Sequence, residues 1–430
     1  MEQNPREIIS DVRFLIEEAL SNAGLKPKDI LGVGIANQRE TIVVWDKKTG
    51  EAIHPAIVWQ DRRTGSDCQH LKDEGLEEMI QQKTGLLLDP YFSATKIRWI
   101  LRKVPGALKK AQQGDLLCGT IDSFILYHLS GFKDHVCDIT NASRTLLFNI
   151  EKECWDVDLL ELFDIPISML PRVCANDGMK VLAKDFGFYI YTAMGDQQAA
   201  SLGQCCTEPG DIKVTYGSGA FLMQNTGQQI QHSQHRLLST ILYRLQGQTT
   251  FAIEGSLLNA GTVVQWLQDQ LHIGTDMASL SDQVAALKDN GGVYFVPALT
   301  GLGAPYWHPE AKGMIYGIGR NTSSDHILRA GLEGIVYSTR DLLEAMRKDG
   351  GTWPERICID GGMSQNAFFG HFLAQVCQLK VQVPMMIEST ILGAASMAGL
   401  SCGLFSDDLG PLEKFGLPPN LEVFFSITTV

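Results

Sequence analysis

The stretch Ile30-Leu31-Gly32-Val33-Gly34-Ile35-Ala36-Asn37-Gln38-Arg39-Glu40-Thr41 decides how this chain is read. Ile30 to Ile35 is apolar and glycine-containing, which predicts a buried strand. The β-branched and aromatic run Thr41 to Trp45 predicts the next strand. Arg39-Glu40 therefore falls just off a strand end, and in an α/β sheet strand ends are where ligands bind. A guanidinium fork beside a carboxylate presents donors and acceptors together. That suits a small polyol, whose hydroxyls each donate and accept. The same dipeptide is also an ordinary surface ion pair, and its companions along the chain must decide between the two.

The chain has 430 residues, enough for two or three domains with separate cores. Hydrophobic residues make up 44% and charged residues 20%, as in an ordinary globular protein. The formal net charge of −13, without a long basic run, argues against nucleic acid as a partner. It leaves room for phosphate binding by backbone N–H groups and a few local cations. The ten cysteines are scattered, with no Cys-x-x-Cys pair, and Cys205-Cys206 are too close for an ordinary bridge. Free thiols in a reducing, cytoplasmic setting are expected. Met1 to Pro5 lacks a signal pattern, and no apolar run is long enough for a membrane span.

Outward from the opening stretch, Ile8, Val12, Leu15, Ile16 and Leu20 predict a helix stopped by Gly24 and Pro27. A hairpin of Thr41–Trp45 with Glu51–Ile53 is expected, then a strand Ala56–Trp59 and a mostly helical region from Ser66 to Leu129. A strand from Phe188 to Met194 delivers Gly195-Asp196-Gln197-Gln198, where a helix begins. Past Thr207-Glu208-Pro209-Gly210 the pattern turns to hairpins: Ile212–Tyr216 with Phe221–Gln224, then Ser239–Arg244 with Thr249–Ile253. Helices Gly261–Leu271, Met277–Leu287 and Asp325–Arg347 follow, with strands Gly292–Pro297 and Arg356–Asp360. A helix Phe368–Val376, a strand Val381–Val383 and a small-residue helix Thr390–Leu400 close the pattern. The expected layout is an α/β domain over 1–205, a second over 210–405 and a tail over 406–430, the two domains facing a central cleft.

Three segments carry candidate chemistry. Asp196, after a glycine at a strand end, can accept the proton of a hydroxyl that attacks phosphorus; it is equally a helix N-cap. Tyr216-Gly217-Ser218-Gly219 can bring backbone close to a phosphate, or simply turn a hairpin. Asp360-Gly361-Gly362 before Met363-Ser364-Gln365-Asn366 removes side chains that would block a base or ribose; the plain alternative is a tight turn with Ser364 as N-cap. The loop Gly301-Leu302-Gly303-Ala304-Pro305-Tyr306-Trp307 carries function or packing. Thr322-Ser323-Ser324-Asp325 reads as a helix start. His232 and His235 do not read as a zinc site.

Taken together, the residues resemble the glycerol kinases of the FGGY carbohydrate kinase family over nearly the whole chain. The resemblance is carried by Asn37-Gln38-Arg39-Glu40-Thr41, Tyr91-Phe92-Ser93-Ala94-Thr95-Lys96, Gly119-Thr120-Ile121-Asp122-Ser123 and Thr140-Asn141-Ala142-Ser143-Arg144-Thr145. It continues through Gly195-Asp196-Gln197-Gln198-Ala199-Ala200, Thr215 to Phe221, Phe295-Val296-Pro297-Ala298 and Asp360-Gly361-Gly362. It implies two actin-like (ribonuclease H-like) domains, ATP and Mg²⁺ as cofactors, glycerol as substrate, and homo-oligomerisation. Arg39, Glu40, Tyr91, Asp196 and Gln197 would hold the hydroxyls, with Phe221 on the carbon face. Asp196 would be the general base and a Mg²⁺ ligand. Ser218, where the family usually has Thr, would contact phosphates. Gly261, Gln265, Gly362 and Asn366 would line the nucleotide pocket.

The chain departs from that family pattern at its start. Members open on an Asp-x-Gly-Thr-x-Ser strand-turn-strand, whereas this sequence begins at what reads as the first helix. The expectation is an exposed sheet edge and fewer core partners for Ile8, Val12 and Ile35. Arg172–Gly187 and the final residues also depart. Alternatives to glycerol phosphorylation are a glycerol-binding partner of a complete kinase and a kinase of another small polyol or sugar.

Overall fold

The computed structural model describes residues 1–274, 277–308, 310–384 and 388–404; the tail expected over 406–430 lies outside the described residues. It is a mixed α/β chain of two compact bodies, and neither is a single stretch of sequence. The first comprises Met1–Gly203, Ser239–Phe251 and residues 390–404; the second comprises Gln204–Leu238 and Ala252–Ser389.

In the first body, the helix Pro5–Ala23 starts where the side chain of Asn4 accepts from Arg6 N–H. It ends at Gly24, whose φ of 66° is the left-handed turn that glycine adopts cheaply. Its Ile8, Val12 and Ile16 pack against a core that includes Val43, Trp45, Phe124 and Ile190. The strand Val33–Asn37 runs parallel to Tyr189–Gly195, with Ile35 opposite Ala193 and Asn37 opposite Gly195. It sits at the edge of a three-stranded sheet completed by Val181–Leu182. Ile8, Val12 and Ile35 are only partly buried there.

The strand after Arg39-Glu40, Ile42–Asp46, enters a different, four-stranded sheet. The expected hairpin with Glu51–Ile53 forms as a short pairing: Asp46 N–H donates to Glu51 C=O and Ile53 N–H to Val44 C=O, both at 2.9 Å, around the Trp45–Ala52 bridge. The longer partner of the strand is the antiparallel Leu116–Thr120, on its other side. Between the two lies Trp45, fully buried and edge-on to Phe124 at 5.2 Å and to His135 at 5.3 Å. Consecutive strands thus part into two sheets, and Arg39-Glu40 occupy the crossing.

The second body carries a six-stranded sheet in the order Leu238–Leu245, Gln248–Leu257, Ala220–Gly227, Ile212–Tyr216, Arg356–Asp360, Lys380–Gln382. Of the hairpin Leu238–Leu245 with Gln248–Leu257, residues Ser239–Phe251 group with the first body. Ile212–Tyr216 pairs antiparallel with Ala220–Gly227 and parallel with Arg356–Asp360, placing Thr215 opposite both Phe221 and Asp360. The helix Gly261–Leu271 and the long helix Ser324–Lys348, started by Ser323, supply Val264, Leu267, Leu332 and Ile335 to its core.

The small-residue helix Ser389–Ser401 lets backbones approach closely. A Cβ at Gly393 would lie 1.8 Å from the carbonyl oxygen of Ala199, and one at Gly34 would lie 2.3 Å from that of Ala394. Both neighbours are backbone, so a methyl group cannot be relieved by a rotamer change. Gly393→Ala is expected to destabilise by ~3 kcal/mol and to lower the thermal midpoint by roughly 5–10 °C; calorimetry of the variant checks this.

Candidate functional site

Two parallel strand ends lie side by side in the first body, and each is followed by a charged residue. Arg39 comes two positions after Asn37, and Asp196 one position after Gly195. Arg39 Nε lies 3.4 Å from Asp196 Oδ1 and 3.8 Å from Glu40 Oε1, and Arg39 Nη1 donates to Gln198 Oε1 at 3.3 Å. The guanidinium therefore bridges two carboxylates. Gly195 makes room for it, because a Cβ there would stand 2.7 Å from Arg39 Cδ. Arg39 and Glu40 are almost wholly buried, at 2% and 1% exposure, whereas the Asp196 side chain is 38% exposed. Gln197 N–H donates to Asp196 Oδ1 at 2.7 Å, at the start of the helix Asp196–Gly203.

Glu40 has a φ of 61°, a left-handed conformation that costs a non-glycine residue of order 1 kcal/mol. Two partners hold it there. Ser93 Oγ donates to the Glu40 carbonyl at 3.1 Å, and Arg144 Nε donates to Glu40 Oε1 at 2.6 Å. Arg144 is fully buried, with its guanidinium carbon 5.4 Å from the Phe92 ring centroid and 6.0 Å from that of Tyr91. Tyr91 also packs edge-on to Trp59 at 5.6 Å, and its carbonyl accepts from Lys96 Nζ at 2.7 Å. Burial pulls the Lys96 ammonium down to about 7, against the pull of Glu40, Asp61 and Asp89. The first body thus brings together Arg39, Glu40, Asp196 and Gln197, with Tyr91 joined through Arg144. Sequence reasoning gave no role to Arg144, Lys96 or Gln198. Their only signal was membership of the quoted motifs.

The remaining candidates lie in the second body. Gly217-Ser218-Gly219 turns the hairpin between Ile212–Tyr216 and Ala220–Gly227, and Phe221 is half-buried on the second of these strands. The turn also docks the start of the helix Gly261–Leu271. Gly217 C=O accepts from Gly261 N–H at 2.9 Å, and Ser218 C=O accepts from Ala260 N–H at 2.8 Å. A Cβ at Gly261 would meet the Gly217 carbonyl at 2.7 Å. Gly361, with φ 85°, presses on Tyr216, while a Cβ at Gly362 would meet open space. Ser218, Gly261 and the Gly361-Gly362 turn are therefore assembled around one strand end. Gln265 is exposed on the helix. The cap of the helix Ala367–Cys377 is Asn366 and not Ser364: Asn366 Oδ1 accepts from Phe369 N–H at 2.9 Å after a short 3₁₀ turn. Asn366 Nδ2 and Asp360 Oδ1 are buried without a protein partner. In the loop Gly301–Trp307 the ring N–H of Trp307 donates to Arg236 C=O at 2.7 Å, a packing role.

Residues 1–203 match the N-terminal domain of the FGGY family of carbohydrate kinases, and residues 212–402 match its C-terminal domain. The chain belongs to that family. It is 50% identical over 411 residues to a glycerol kinase of Ectopseudomonas mendocina, covering 95% of this chain and 83% of that relative. It is 49% identical to glycerol kinase 1 of Pseudomonas aeruginosa, with the same shares covered. Among solved structures, glycerol kinase of Plasmodium falciparum with ADP superposes with a TM-score of 0.91 at 33% identity, covering 99% of this chain and 85% of that one. A xylulose kinase of Lactobacillus acidophilus, at 21% identity and a TM-score of 0.87 over 99% of this chain and 85% of that one, shares the fold.

Behind the strand ends lie two fully buried carboxylates, Asp122 and Asp138. Burial raises both, and Asp122 reaches about 7 with Asp138 beside it. Asp138 accepts from five N–H and O–H donors, so it keeps its charge and Asp122 takes the shared proton. Thr120 Oγ1 donates to Asp122 Oδ1 at 2.5 Å, and the hydroxyl can turn to accept once Asp122 carries the proton. A folded-state pKa raised from 3.8 to about 7 favours folding fully below pH ~4, and the gain is lost as pH rises through ~7. Asp122→Asn can donate to Thr120 Oγ1 and accept from Asp138 N–H without titrating. The variant is expected to lose roughly 1–2 kcal/mol less stability than the parent chain between pH 5.5 and pH 8, as read from denaturant unfolding at the two values.

Proposed function

We propose that this chain transfers the γ-phosphoryl group of ATP to a terminal hydroxyl of glycerol, giving sn-glycerol 3-phosphate, and does so in the cytosol. The observation that carries the reading is the buried Arg39 guanidinium held between Glu40 and Asp196. It offers a triol fixed donors and acceptors within one small space, and the relatives named above as glycerol kinases support the choice of substrate.

In this reading Arg39, Glu40, Tyr91, Asp196 and Gln197 hold the hydroxyl groups. Arg144 locks the Glu40 carboxylate, so Glu40 accepts from substrate without turning. Asp196, the most exposed charge of the group, takes the proton of the attacking hydroxyl, a positioned base being what phosphoryl transfer asks of the protein.

The second body fits a nucleotide on three counts: Gly362 faces open space, Asn366 Nδ2 and Asp360 Oδ1 are buried without protein partners, and the Gly217–Gly219 backbone turns at a strand end. Ser218 and the adjacent backbone would hold phosphate oxygens, while Gly261, Gln265, Gly362 and Asn366 would line the base and ribose. Mg²⁺ commonly keeps several waters and takes one or two carboxylates besides the phosphates. Asp196 fits as such a ligand; among the described residues no cluster of three or more ligating side chains exists. When bound, the ion neutralises charge on the transferring group.

The test is ATP- and Mg²⁺-dependent formation of glycerol 3-phosphate by the purified chain. Asp196→Asn is expected to lower kcat by ~10²–10⁴. Faster turnover of xylulose or gluconate than of glycerol would overturn the substrate assignment. Calorimetric binding of glycerol without turnover would favour the binding-partner reading. Arg144→Met leaves a buried carboxylate with less compensation. It is expected to cost ~3 kcal/mol of stability and to raise KM for glycerol at least ~10-fold, and Arg144→Lys, lacking the planar fork, is expected to restore little of either.

A further inference from the structure

Asp138 stands behind the site and touches no group assigned to substrate. Its side chain is fully buried. One carboxylate oxygen, Oδ2, accepts from Thr140 N–H at 2.8 Å, Thr140 Oγ1–H at 2.6 Å and Asn176 Nδ2 at 3.0 Å. The other, Oδ1, accepts from Asn141 N–H at 3.0 Å and Asn141 Nδ2 at 2.6 Å. Thr140 spends its hydroxyl proton on Asp138, so its lone pairs face outward, and one of them accepts from Gly195 N–H at 2.8 Å. Gly195 is the residue before Asp196. Asn141, fixed by the other oxygen, exchanges hydrogen bonds with Asn37: Asn141 Nδ2 donates to Asn37 Oδ1 at 3.0 Å, and Asn37 Nδ2 donates to Asn141 Oδ1 at 2.9 Å. Asn37 Nδ2 also donates to the carbonyl of Gln38, the residue before Arg39, at 2.9 Å.

We propose that Asp138 is a positioning residue with two arms, Thr140 to Gly195 and Asn141 to Asn37, which together fix the Asp196 carboxylate against the Arg39-Glu40 pair. The assignment rests on the reading of Asp196 as base and Arg39-Glu40 as hydroxyl clamp. Each arm ends on a different strand terminus, so the two arms act on different kinetic constants. The Thr140 arm orders the residue that takes the proton and governs kcat. The Asn141 arm orders the segment that grips the hydroxyls and governs KM. Asp138 has no remaining lone pair free of donors in which to place an amide. Asp138→Asn would set an NH₂ group against N–H and O–H donors, and the variant is expected to lose both functions together.

The test uses changes along the two arms in the whole chain, because Asp138, fully buried among five donors, also supports the fold. Thr140→Val keeps the shape and removes the acceptor for Gly195 N–H, whereas Thr140→Ser keeps it. Thr140→Val is expected to lower kcat at least ~10-fold with KM for glycerol changed less than about threefold, and Thr140→Ser to stay within about threefold of the parent chain in both. Asn37→Ala, at the far end of the other arm, is expected to show the reverse split. Amide hydrogen exchange at Gly195, read by mass spectrometry on short peptides, is expected to quicken in Thr140→Val and not in Thr140→Ser. Unchanged kcat and unchanged exchange in a folded Thr140→Val overturn the proposal, as does an equal loss in Thr140→Ser. Asp196→Asn is measured alongside. If it retains turnover, the reading of Asp196 fails, while quickened Gly195 exchange in Thr140→Val still upholds the hold on that strand end.

Discussion

A guanidinium that is almost wholly withdrawn from water sets the terms for the first body. Burying a charge is affordable only where opposite charges and hydrogen bonds replace the lost water. Arg39 has Glu40, Asp196 and Gln198 around it, and Glu40 in turn has Arg144. Each of these residues is needed because of its neighbour, and removal of any one leaves another charge with less compensation than the interior requires. The left-handed backbone at Glu40 belongs to the same account. The conformation is unfavourable by itself, and it persists because Ser93 and Arg144 hold the carbonyl and the carboxylate.

The position of this ion group follows from strand pairing. Asn37 and Gly195 are opposite one another in a parallel register, so the residues that follow them leave the sheet at the same edge. Splitting the next strand into a separate sheet gives the crossing segment Gln38–Thr41 its sharp path. The glycine before Asp196 then lets the Arg39 stem lie flat on the strand end. The second body solves a parallel problem by different means: its turn after Tyr216 and its Gly361-Gly362 turn meet at one strand end, with glycines where backbone approaches backbone. In both cases the chemistry sits where strands stop.

Much of this was legible because it is local. Gly261–Leu271 and Arg356–Asp360 form over the same residues that the pattern predicts, and Arg39-Glu40 and Asp196 fall at strand ends as read. What the pattern left out depends on contacts it does not encode. The hairpin of Thr41–Trp45 with Glu51–Ile53 forms as read, but nothing local announces that the same strand pairs at greater length with Leu116–Thr120, or that Trp45 packs on Phe124 and His135. Ser364 looks like a cap, but the 3₁₀ turn shifts the helix start and Asn366 takes the position. Arg144 and Thr140 act on residues 104 and 55 positions away, and no periodicity or capping rule reaches that far.

The gradient of exposure across the ion group carries its own argument. A group that must exchange a proton with substrate has to be reachable, while the charges that fix its position work best where water cannot screen them. Arg144, Glu40 and Arg39 are at most 2% exposed, and the Asp196 side chain is 38% exposed. The rigid part of the network is therefore the hidden part. Its one well-exposed carboxylate is held from below by Gln197 N–H and Arg39, and held in place along the chain by Thr140 through Gly195. A carboxylate on a mobile loop could be equally accessible, but it would have to be ordered at each turnover. Here the ordering is done during folding, by residues that never meet the substrate.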